Sequence, residues 1–198
     1  VYVFPSNIQV DTENTKIFII DDDEEIRSAI SLLLKSDGYN VESFKSANDL
    51  IENAEHCGPG CILLDIFLEA ETGLEMQSKI ETKFECLPII FITGQGNIPM
   101  SVEAMKKGAL NFLQKPIDDK ELFDAIDEAL ERSKTLLTKQ NEIEKFKSLV
   151  SSLTAREYEI FRYVISGTLN KQIAAELGIA EHTVKNHRLN ITEKLGVK

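Results

Sequence analysis

The sequence predicts an α/β domain built on a doubly wound, five-stranded parallel sheet, followed by a smaller all-α domain. Three observations indicate this organisation. Over residues 16–133, short apolar runs alternate with helical patterns, which is typical of parallel strands joined by crossover helices. Residues 119–150 contain no Gly or Pro, and residues 151–198 carry helical patterns without a strand pattern.

Five runs have the composition of buried strands, because they are short, largely apolar and bounded by turn residues. They are Lys16–Ile20, Tyr39–Phe44, Cys61–Asp65, Pro88–Thr93 and Leu110–Gln114. A helical segment separates each run from the next. We therefore expect right-handed crossovers that place helices on both faces of the sheet.

Start and stop signals bound the intervening helices. Ser46-x-x-Asp49, Thr72-x-x-Glu75 and Asp118-x-x-Glu121 resemble capping boxes, in which side chains satisfy free N–H groups of the first helical turn. The first helix should stop at Gly38 and the fourth near Gly108, because glycine readily adopts the left-handed conformation that ends many helices.

The segment 119–150 predicts one long helix that joins the two domains, with residues 134–150 as a helical linker. Apolar side chains recur at intervals of seven, at Leu122, Ala129, Leu136, Ile143 and Val150. In a coiled coil, the positions three residues after these would also be apolar. Only half of them are, since they are Ala125, Arg132, Lys139 and Phe146. Two interpretations stay open: a solvated amphipathic linker, or a weak coiled-coil seam between two copies.

A second helical pattern starts at Leu153, and Thr154-x-x-Glu157 is a further capping box. The helix that follows should stop at Gly167 and bury one apolar face, made of Ile160, Phe161, Val164 and Ile165. After it, the pattern predicts a helix opened by Asn170, a turn and a last helix, over Lys171–Leu177, Gly178–Ala180 and Glu181–Leu195. Two helices joined by a three-residue turn with glycine give the outline of a helix-turn-helix.

The net charge of −11 is unevenly distributed along the chain. Residues 16–133 carry 11 basic and 24 acidic side chains, whereas residues 153–198 carry 7 basic and 5 acidic ones. A uniformly acidic protein would be a poor partner for nucleic acid, but the slight positive excess near the C-terminus is compatible with DNA binding. This uneven distribution of charge therefore predicts that the two parts of the chain have different functions.

The sequence also gives an expectation for where in the cell the protein is found. No run approaches the roughly 20 apolar residues of a bilayer span, and the start, Val1–Pro5, has no basic flank and is too short for a signal peptide. We therefore expect a cytoplasmic protein that does not bind membranes. Cys57, Cys61 and Cys86 are odd in number and lack a good zinc spacing, so we expect ordinary thiols.

Polar residues collect at the predicted carboxyl ends of the strands, where open α/β sheets form their sites. Asp21-Asp22 and Asp65 should converge there, and crowded carboxylates with oxygen ligands suit Mg²⁺. Thr93 and Lys115 should reach the same edge. Such a set fits phosphoryl transfer, with a carboxylate as nucleophile, metal and lysine to neutralise phosphoryl oxygens, and a hydroxyl to hydrogen-bond one of them.

These motifs resemble the receiver domain of bacterial two-component response regulators over about residues 16–133. The similarity rests on Ile-Ile-Asp21-Asp22-Asp23, Leu-Leu-Asp65 with Gly73 eight residues later, Ile-Thr93-Gly, and Phe112-Leu-Gln-Lys115-Pro116. The resemblance implies a flavodoxin-like sheet. It also implies that Asp65 accepts a phosphoryl group from a sensor histidine kinase.

The resemblance assigns the other pocket residues. Asp22 and Asp65 would bind Mg²⁺ directly, together with the backbone carbonyl of Phe67, and Asp21 would bind it through water. Lys115 would pair with the phosphoryl group, and its bond to Pro116 would be cis. Thr93 and Phe112 resemble the switch pair, in which the hydroxyl moves toward the phosphoryl group and the ring fills the space it leaves.

The sequence departs from the family after the acceptor. Leu68-Glu69 stands where relatives usually have Met-Pro, and Phe67 occupies a position that is often polar. Glu69 and Glu71 add negative charge near the pocket. A change in metal affinity, a change in the dephosphorylation rate and neutral drift all stay open as interpretations.

The C-terminal part resembles the LuxR-type helix-turn-helix over about residues 151–198. The motifs are Leu153-Thr-x-Arg-Glu157, Asn170-Lys-Gln-Ile-Ala174 and Thr183-Val-Lys-x-His187-x-x-Asn190-Ile-x-x-Lys-Leu195. Together with the receiver motifs, they indicate the NarL/FixJ class of response regulators. The segment Gly94–Met100 resembles the FixJ branch in particular.

The last predicted helix divides into an inner and an outer face. Val184, Ile191 and Leu195 should seat it on the core, with Lys185, Asn186, Arg188, Leu189 and Thr192 facing away. Lys and Asn can bind guanine and adenine edges, and a leucine can contact a thymine methyl. Four further residues would hold phosphates or pack locally, namely Lys171, Thr183, His187 and Asn190.

The combined expectation is a transcriptional response regulator, not an enzyme, whose unphosphorylated receiver restrains DNA binding. Its expected partners are a sensor histidine kinase, double-stranded DNA and a second copy on activation. The first residue is not Met and relatives have another helix after residue 198, so we expect a truncated chain.

Two rival functions stay open. One is a receiver that acts by constitutive dimerisation without phosphorylation. The other is a Mg²⁺-dependent phosphohydrolase, which is disfavoured because no acid stands two residues after Asp65.

Overall fold

The computed structural model describes residues 14–69, 72–94 and 98–197 of the chain. The chain divides into two compact units, with the boundary between Thr138 and Lys139. Within the described part, none of the helices combines the length and the apolar character that a bilayer crossing requires. The predicted absence of a signal peptide at Val1–Pro5 concerns residues outside the described ranges.

The first unit contains a sheet of five strands, and every neighbouring pair is parallel. The strands are β1 Lys16–Ile20, β2 Val41–Phe44, β3 Gly60–Asp65, β4 Ile89–Thr93 and β5 Asn111–Gln114. Their order across the sheet is β2-β1-β3-β4-β5. The connections leave in opposite directions from β1 and β3, so a crevice opens at the carboxyl ends of these two strands. The predicted fold class of this unit is confirmed.

Helices alternate with the strands, as predicted. They are α1 Glu24–Ser36, α2 Ala47–Asn53, α3 Gly73–Lys83, α4 Ile98–Lys106 and α5 Asp119–Ser151. The helices α1 and α5 cover one face of the sheet, and α2, α3 and α4 cover the other. Both faces are therefore dry, which explains why all six residues of β3 are buried and why the strands are continuous apolar runs.

Side chains of β1 show how one strand serves both layers of the core. Phe18 and Ile20 pack with the cluster that includes α2, α3 and α4, whereas Ile17 and Ile19 pack with α1 and α5. Successive side chains in a strand point to opposite faces, so this alternation follows from the backbone alone. Each apolar side chain fully removed from water contributes about 1.5–3 kcal/mol to folding.

The predicted helix caps are mostly confirmed. Thr72 and Glu75 form both hydrogen bonds of a capping box at α3, and the Asp118 carboxylate accepts from two N–H groups at the start of α5. At α2, the Ser46 hydroxyl accepts from the Asp49 N–H at 3.1 Å. This is only half of the predicted box, since an aspartate is one methylene shorter than the glutamate that normally reaches back.

Predicted strand boundaries differ from the observed ones by one or two residues. Tyr39 was expected to open β2, but its N–H donates to the Leu34 carbonyl at 3.1 Å and so belongs to the end of α1. Gly38 makes this possible, because its φ of 91° lies in the left-handed region. β3 begins one residue earlier than predicted, at Gly60.

The helix α5 continues without interruption over 33 residues. The predicted single long helix across residues 119–150 is therefore confirmed. The predicted domain boundaries before residue 134 and after residue 150 stay predictions.

Ser133 anchors α5 at the amino-terminal edge of the sheet. Its side chain is fully buried. The hydroxyl accepts from the Gly60 N–H at 3.1 Å and donates to the Cys86 carbonyl at 2.6 Å. One side chain thus satisfies two backbone groups, one at the start of β3 and one in the loop before β4.

The second unit contains three further helices, α6 Ala155–Ile165, α7 Asn170–Leu177 and α8 Glu181–Leu195. Ile160, Ile173 and Val184 are completely buried where these helices meet. Gly178 ends α7 with φ 64°, as a short turn between two helices requires. The predicted all-α character of this unit is confirmed, including the inner face of α8.

One core prediction for α6 is wrong. Ile165 was expected on the same apolar face as Ile160, yet 67% of it is exposed. At 100° per residue, Ile165 lies about 140° around the helix from Ile160, whereas Val164 lies only about 40° away. The buried stripe is therefore narrower than the run of apolar residues indicated.

Glu157 connects the start of α6 to the last turn of α8. Its Oε2 atom accepts from the Thr154 N–H at 2.8 Å and from the Lys194 ammonium at 2.6 Å. The hydrogen bond from Lys194, followed by that from Thr154, lowers the pKa of Glu157 to about 2. The capping box of α6 is therefore also an ion pair with the last turn of α8.

We predict that Ser133→Ala lowers the free energy of unfolding of the first unit by about 1–3 kcal/mol, because the buried Gly60 N–H and Cys86 carbonyl both lose their partner. Urea denaturation followed by amide NMR signals of β3 measures the change. Thr135→Val is the control, since the Thr135 hydroxyl donates to the Glu131 carbonyl within its own exposed helical turn. An equal loss in both variants would contradict the assigned role.

We predict that Lys194→Met raises the pKa of Glu157 from about 2 toward its usual 4.5. A depressed pKa in the folded state means that the ionised Glu157 stabilises the fold fully above about pH 4.5 and loses this effect as the pH falls to about 2. Carboxyl-detected NMR titration measures the midpoint. Lys185→Met is the control, because Lys185 pairs with Glu181 instead, and it should leave the midpoint unchanged.

Candidate functional site

The carboxyl ends of β1 and β3 bring three acids together. Ile20 and Leu64 are register partners in the sheet, so Asp21 and Asp65, which follow them, lie side by side. One carboxylate oxygen from each of Asp21, Asp22 and Asp65 lies within 4.8 Å of the others. Asp21 and Asp65 are buried, and Asp22 is more accessible. The predicted convergence of the three carboxylates is present.

Lys115 neutralises part of this negative charge. Its Nζ atom lies 2.6 Å from Asp21 Oδ2 and 2.6 Å from Asp65 Oδ2. The backbone N–H of Lys115 donates to the Thr93 carbonyl at 2.7 Å, which fixes the residue beside the end of β4. The peptide bond to Pro116 is cis, as predicted from the resemblance.

The burial of this cluster changes its protonation behaviour. Burial raises the pKa of Asp21, and the hydrogen bond from Lys115 opposes this effect without cancelling it. Burial also acts to lower the pKa of Lys115, but the hydrogen bonds to Asp21 and Asp65 outweigh it and raise that pKa. Lys115 therefore keeps its positive charge throughout the neutral pH range.

Backbone groups hold the carboxylates in place. The Phe67 N–H donates to Asp65 Oδ1 at 3.0 Å, and the Asp23 N–H donates to Asp21 Oδ1 at 2.9 Å. With Lys115 on its other oxygen, each of the two buried carboxylates has a donor on both oxygens. Their orientation is therefore set before any ligand arrives.

Arg27, which lies on the first turns of α1, was not among the predicted site residues. Its Nη1 atom donates to the Asp21 carbonyl at 2.6 Å and, more weakly, to the Asp22 carbonyl at 3.4 Å. This contact fixes the backbone of the acidic loop rather than its carboxylates. An arginine six residues after Asp21 was the available signal, but spacing alone does not reveal a bond to a carbonyl.

Gly73 explains the spacing of the motif around Asp65. A Cβ atom at this position would lie 2.4 Å from the Asp65 carbonyl oxygen and 3.1 Å from the Phe91 ring. The backbone at the start of α3 therefore passes directly against the acceptor strand. Any side chain at residue 73 would displace Asp65.

An open cleft of about 640 Å³ gives access to the acids. Besides residues of the acid cluster, apolar and further acidic residues line the cleft. The lining consists of Asp22, Asp23, Ile26, Asp65, Phe67, Glu69, Gly94 and Lys115. Phe67 is 46% exposed although it is aromatic.

Two further predictions fall partly outside the described residues, namely Glu71 and the middle of the FixJ-like segment at residues 95–97.

The predicted switch pair lies near the cleft but does not line it. Thr93 is fully buried at the end of β4. Phe112 is half-buried on β5, where it is the register partner of Phe91 and packs against the cluster with α2, α3 and α4.

The predicted DNA-contacting residues divide by accessibility. Lys185, Asn186, Leu189 and Asn190 on α8 are exposed, and so is Lys171 on α7. Four others are half-buried, namely Thr183, His187, Arg188 and Thr192. Leu189 is a large apolar side chain left in water on an otherwise polar surface. The accessible part of the predicted surface is therefore smaller than the sequence indicated.

Arg188 differs most from its expected position. The sequence places it among the outward-facing residues, but its Nη1 atom donates to Asn170 Oδ1 at 2.9 Å and so links α8 to the start of α7. His187 is packed rather than free, and its Nδ1 atom is buried without a hydrogen-bond partner among the described residues. Tertiary contacts of this kind have no local sequence signature.

Comparisons with known proteins agree with this division of the chain. Residues 17–127 match the family model of the response regulator receiver domain, and residues 151–198 match that of the LuxR family of bacterial regulatory proteins. These matches cover the unit with the acid cluster and the unit with α7 and α8.

Similar proteins span most of the chain. The transcriptional regulatory protein TdiR of Thauera aromatica is 38% identical, over 92% of this chain and 80% of its own. Nodulation protein W of Bradyrhizobium diazoefficiens is 40% identical, over 90% and 79%. Among solved structures, response regulator StyR is 40% identical with a TM-score of 0.75 over 93% of both chains. Full-length FixJ from B. japonicum is 31% identical, with a TM-score of 0.55 over 92% of this chain and 90% of its own.

The relatives are transcriptional regulators, which confirms the prediction that the chain is not an enzyme. The chain therefore belongs to the response regulators of the NarL/FixJ class, with a receiver domain followed by a LuxR-type helix-turn-helix domain for the control of transcription.

Proposed function

We propose that Asp65 accepts a phosphoryl group from a sensor histidine kinase and that this event controls DNA binding by α8. One observation carries the proposal. Asp65 lies at the floor of an open cleft, with one oxygen held by the Phe67 N–H and the other by the Lys115 ammonium. A carboxylate oriented in this way is prepared to act as a nucleophile.

In the proposed step, an Asp65 oxygen attacks the phosphorus of a phosphohistidine. The bond between phosphorus and the imidazole nitrogen breaks, and its electron pair stays on the nitrogen, which takes up a proton. Lys115 is close enough to both Asp21 and Asp65 to pair with a phosphoryl oxygen bound at Asp65. Its fixed positive charge stabilises the negative charge that develops during transfer.

The donor set of the cleft fits Mg²⁺. Three carboxylates offer oxygens within 4.8 Å, and a single ammonium leaves the cluster with excess negative charge. We propose that Asp22 and Asp65 bind the ion with the Phe67 carbonyl, and that Asp21 contributes through water. A bound Mg²⁺ would neutralise phosphoryl oxygens during the transfer.

We propose Thr93 and Phe112 as the elements that respond to phosphorylation. Thr93 ends β4 in the strand next to Asp65, and Phe112 stands on β5 beside Phe91. A hydroxyl that bonds a new phosphoryl oxygen would leave space that a half-buried ring can occupy. This gives a two-state element that a single added charge can bias.

The second unit supplies the proposed output. Lys185, Asn186 and Leu189 are exposed on α8 and offer hydrogen-bonding and methyl-contacting groups to base edges. The exposed Lys171 and Asn190 would contact phosphates, whereas the half-buried Thr183 and His187 would contact phosphates or pack locally. The link from Arg188 to Asn170 makes Arg188 a positioning residue for α8 as much as a DNA contact. The proposed partners are therefore a histidine kinase, double-stranded DNA and, on activation, a second copy.

We predict that a small phosphodonor with Mg²⁺ adds one phosphoryl group to the full chain, and that Asp65→Asn abolishes the addition because it removes the nucleophilic oxygen. Intact mass spectrometry measures the product. Asp124→Asn, an exposed acid on α5, is the control and should react like the wild type.

The same samples test regulation in a DNA mobility shift assay. Phosphorylation should strengthen binding in the wild type and leave Asp65→Asn unchanged. Phosphorylation without any change in DNA affinity would contradict the proposed control, and the absence of phosphorylation would favour a receiver that acts through constitutive dimerisation.

We predict that Lys185→Ala weakens DNA binding roughly tenfold, which corresponds to the loss of one base contact. Fluorescence anisotropy with a duplex enriched by the full chain from a random pool gives the affinity. Lys145→Ala changes another exposed lysine, on α5, and should alter the affinity far less. Equal effects of the two substitutions would indicate only nonspecific attraction to phosphates.

A further inference from the structure

The helix α5 carries two large apolar side chains in its solvated part. Ile143 is 50% exposed and Phe146 is 48% exposed. All residues from 141 to 148 are exposed, and the neighbours of these two are mostly Glu and Lys. Exposed single apolar residues are common, but here two lie three residues apart on the same helix face.

The two residues continue a regular stripe along the helix. Ile143, Phe146 and Val150 are spaced by three and four residues, which is the spacing of the a and d positions of a coiled-coil heptad. Val150 is half-buried against the core of the second unit, so the stripe ends on packed structure. Lys139 occupies the preceding d position, which limits the stripe at its other end.

Charges flank this stripe in a pattern that selects one orientation. With Ile143 at position a, Glu142 stands at g and Lys147 at e. In a parallel pair, g of one helix faces e of the next heptad in its partner, so Glu142 would face the partner subunit's Lys147. In an antiparallel pair, g faces g and e faces e, which would oppose like charges.

In the single chain, Lys147 pairs with Glu144 at 2.8 Å on an exposed surface. Surface pairs of this kind contribute little, so exchanging Glu144 for the partner subunit's Glu142 costs little. The charge pattern therefore favours a second copy over an unrelated partner.

We propose that the seam formed by Ile143, Phe146, Glu142 and Lys147 pairs in parallel with the same seam of a second copy. The inference deepens the proposed function, since it names the surface through which two copies cooperate on DNA. Two apolar residues per helix bury far less area than a stable dimer needs. The seam therefore acts only when two copies are bound to neighbouring half-sites. DNA then raises the effective concentration of one seam near the other, and their pairing strengthens the binding of both copies to DNA.

Cross-linking tests the seam without DNA. In the full chain with Cys57→Ser and Cys86→Ser, Ile143→Cys should give covalent dimers with a short bismaleimide at high protein concentration. Cys61 is fully buried and can stay. Glu144→Cys on the outer side of the same helix is the matched control and should give far fewer dimers. Equal yields at the two positions, or none at residue 143, would overturn the proposal.

Charge reversal tests orientation and function together. Glu142→Lys and Lys147→Glu should each lower the affinity for a duplex with two enriched half-sites roughly tenfold, and the double variant should restore it. Glu144→Lys should have no such effect.

Affinity for a single half-site should stay unchanged in all these variants. A double variant that stays weak on paired half-sites would overturn the parallel seam. If the wild type binds neither the paired nor the single half-site duplex, the proposed DNA function fails, and cross-linking at residue 143 still decides the seam.

Discussion

The receiver site depends on one ammonium group shared by two buried carboxylates. Asp21 and Asp65 lie at the ends of adjacent strands, and without Lys115 their buried charges would repel each other and destabilise the sheet. Lys115 is 94 residues from Asp21 and 50 from Asp65 in the sequence. The position of β5 and the charge balance of the cleft therefore depend on each other.

The site is also held by contacts that involve no functional side chain. Arg27 fixes the carbonyls of the acidic loop, and the absence of a Cβ at Gly73 lets α3 approach Asp65. These contacts make the cleft rigid on the side of β1 and β3. On the side of β4 and β5, Phe112 is only half-buried, although it packs against the core cluster with α2, α3 and α4. This second side is the one on which Thr93 and Phe112 are proposed to respond to phosphorylation.

Much of this arrangement could be predicted from the sequence, because buried parallel strands are apolar runs and their carboxyl ends share one edge. The convergence of the acids and Lys115 followed from that rule. Strand starts were less predictable, as at Tyr39, since a strand begins where its neighbour offers hydrogen bonds. The bonds of Arg27 to carbonyls and of Arg188 to Asn170 are tertiary contacts without a local pattern. The prediction that Ile165 is buried was wrong, because consecutive apolar residues extend further around a helix than the face that it buries.

Ser133 divides α5 into two parts with different local stability. Up to this residue, the helix cannot open without breaking the hydrogen bonds to Gly60 and Cys86 and uncovering the core. From 141 to 148 no side chain is buried, so this stretch can fray or bend at the cost of its own helical hydrogen bonds alone. We therefore expect the amide protons of the first part to exchange with solvent as slowly as those of the core, and the amide protons of residues 141–148 to exchange faster and independently.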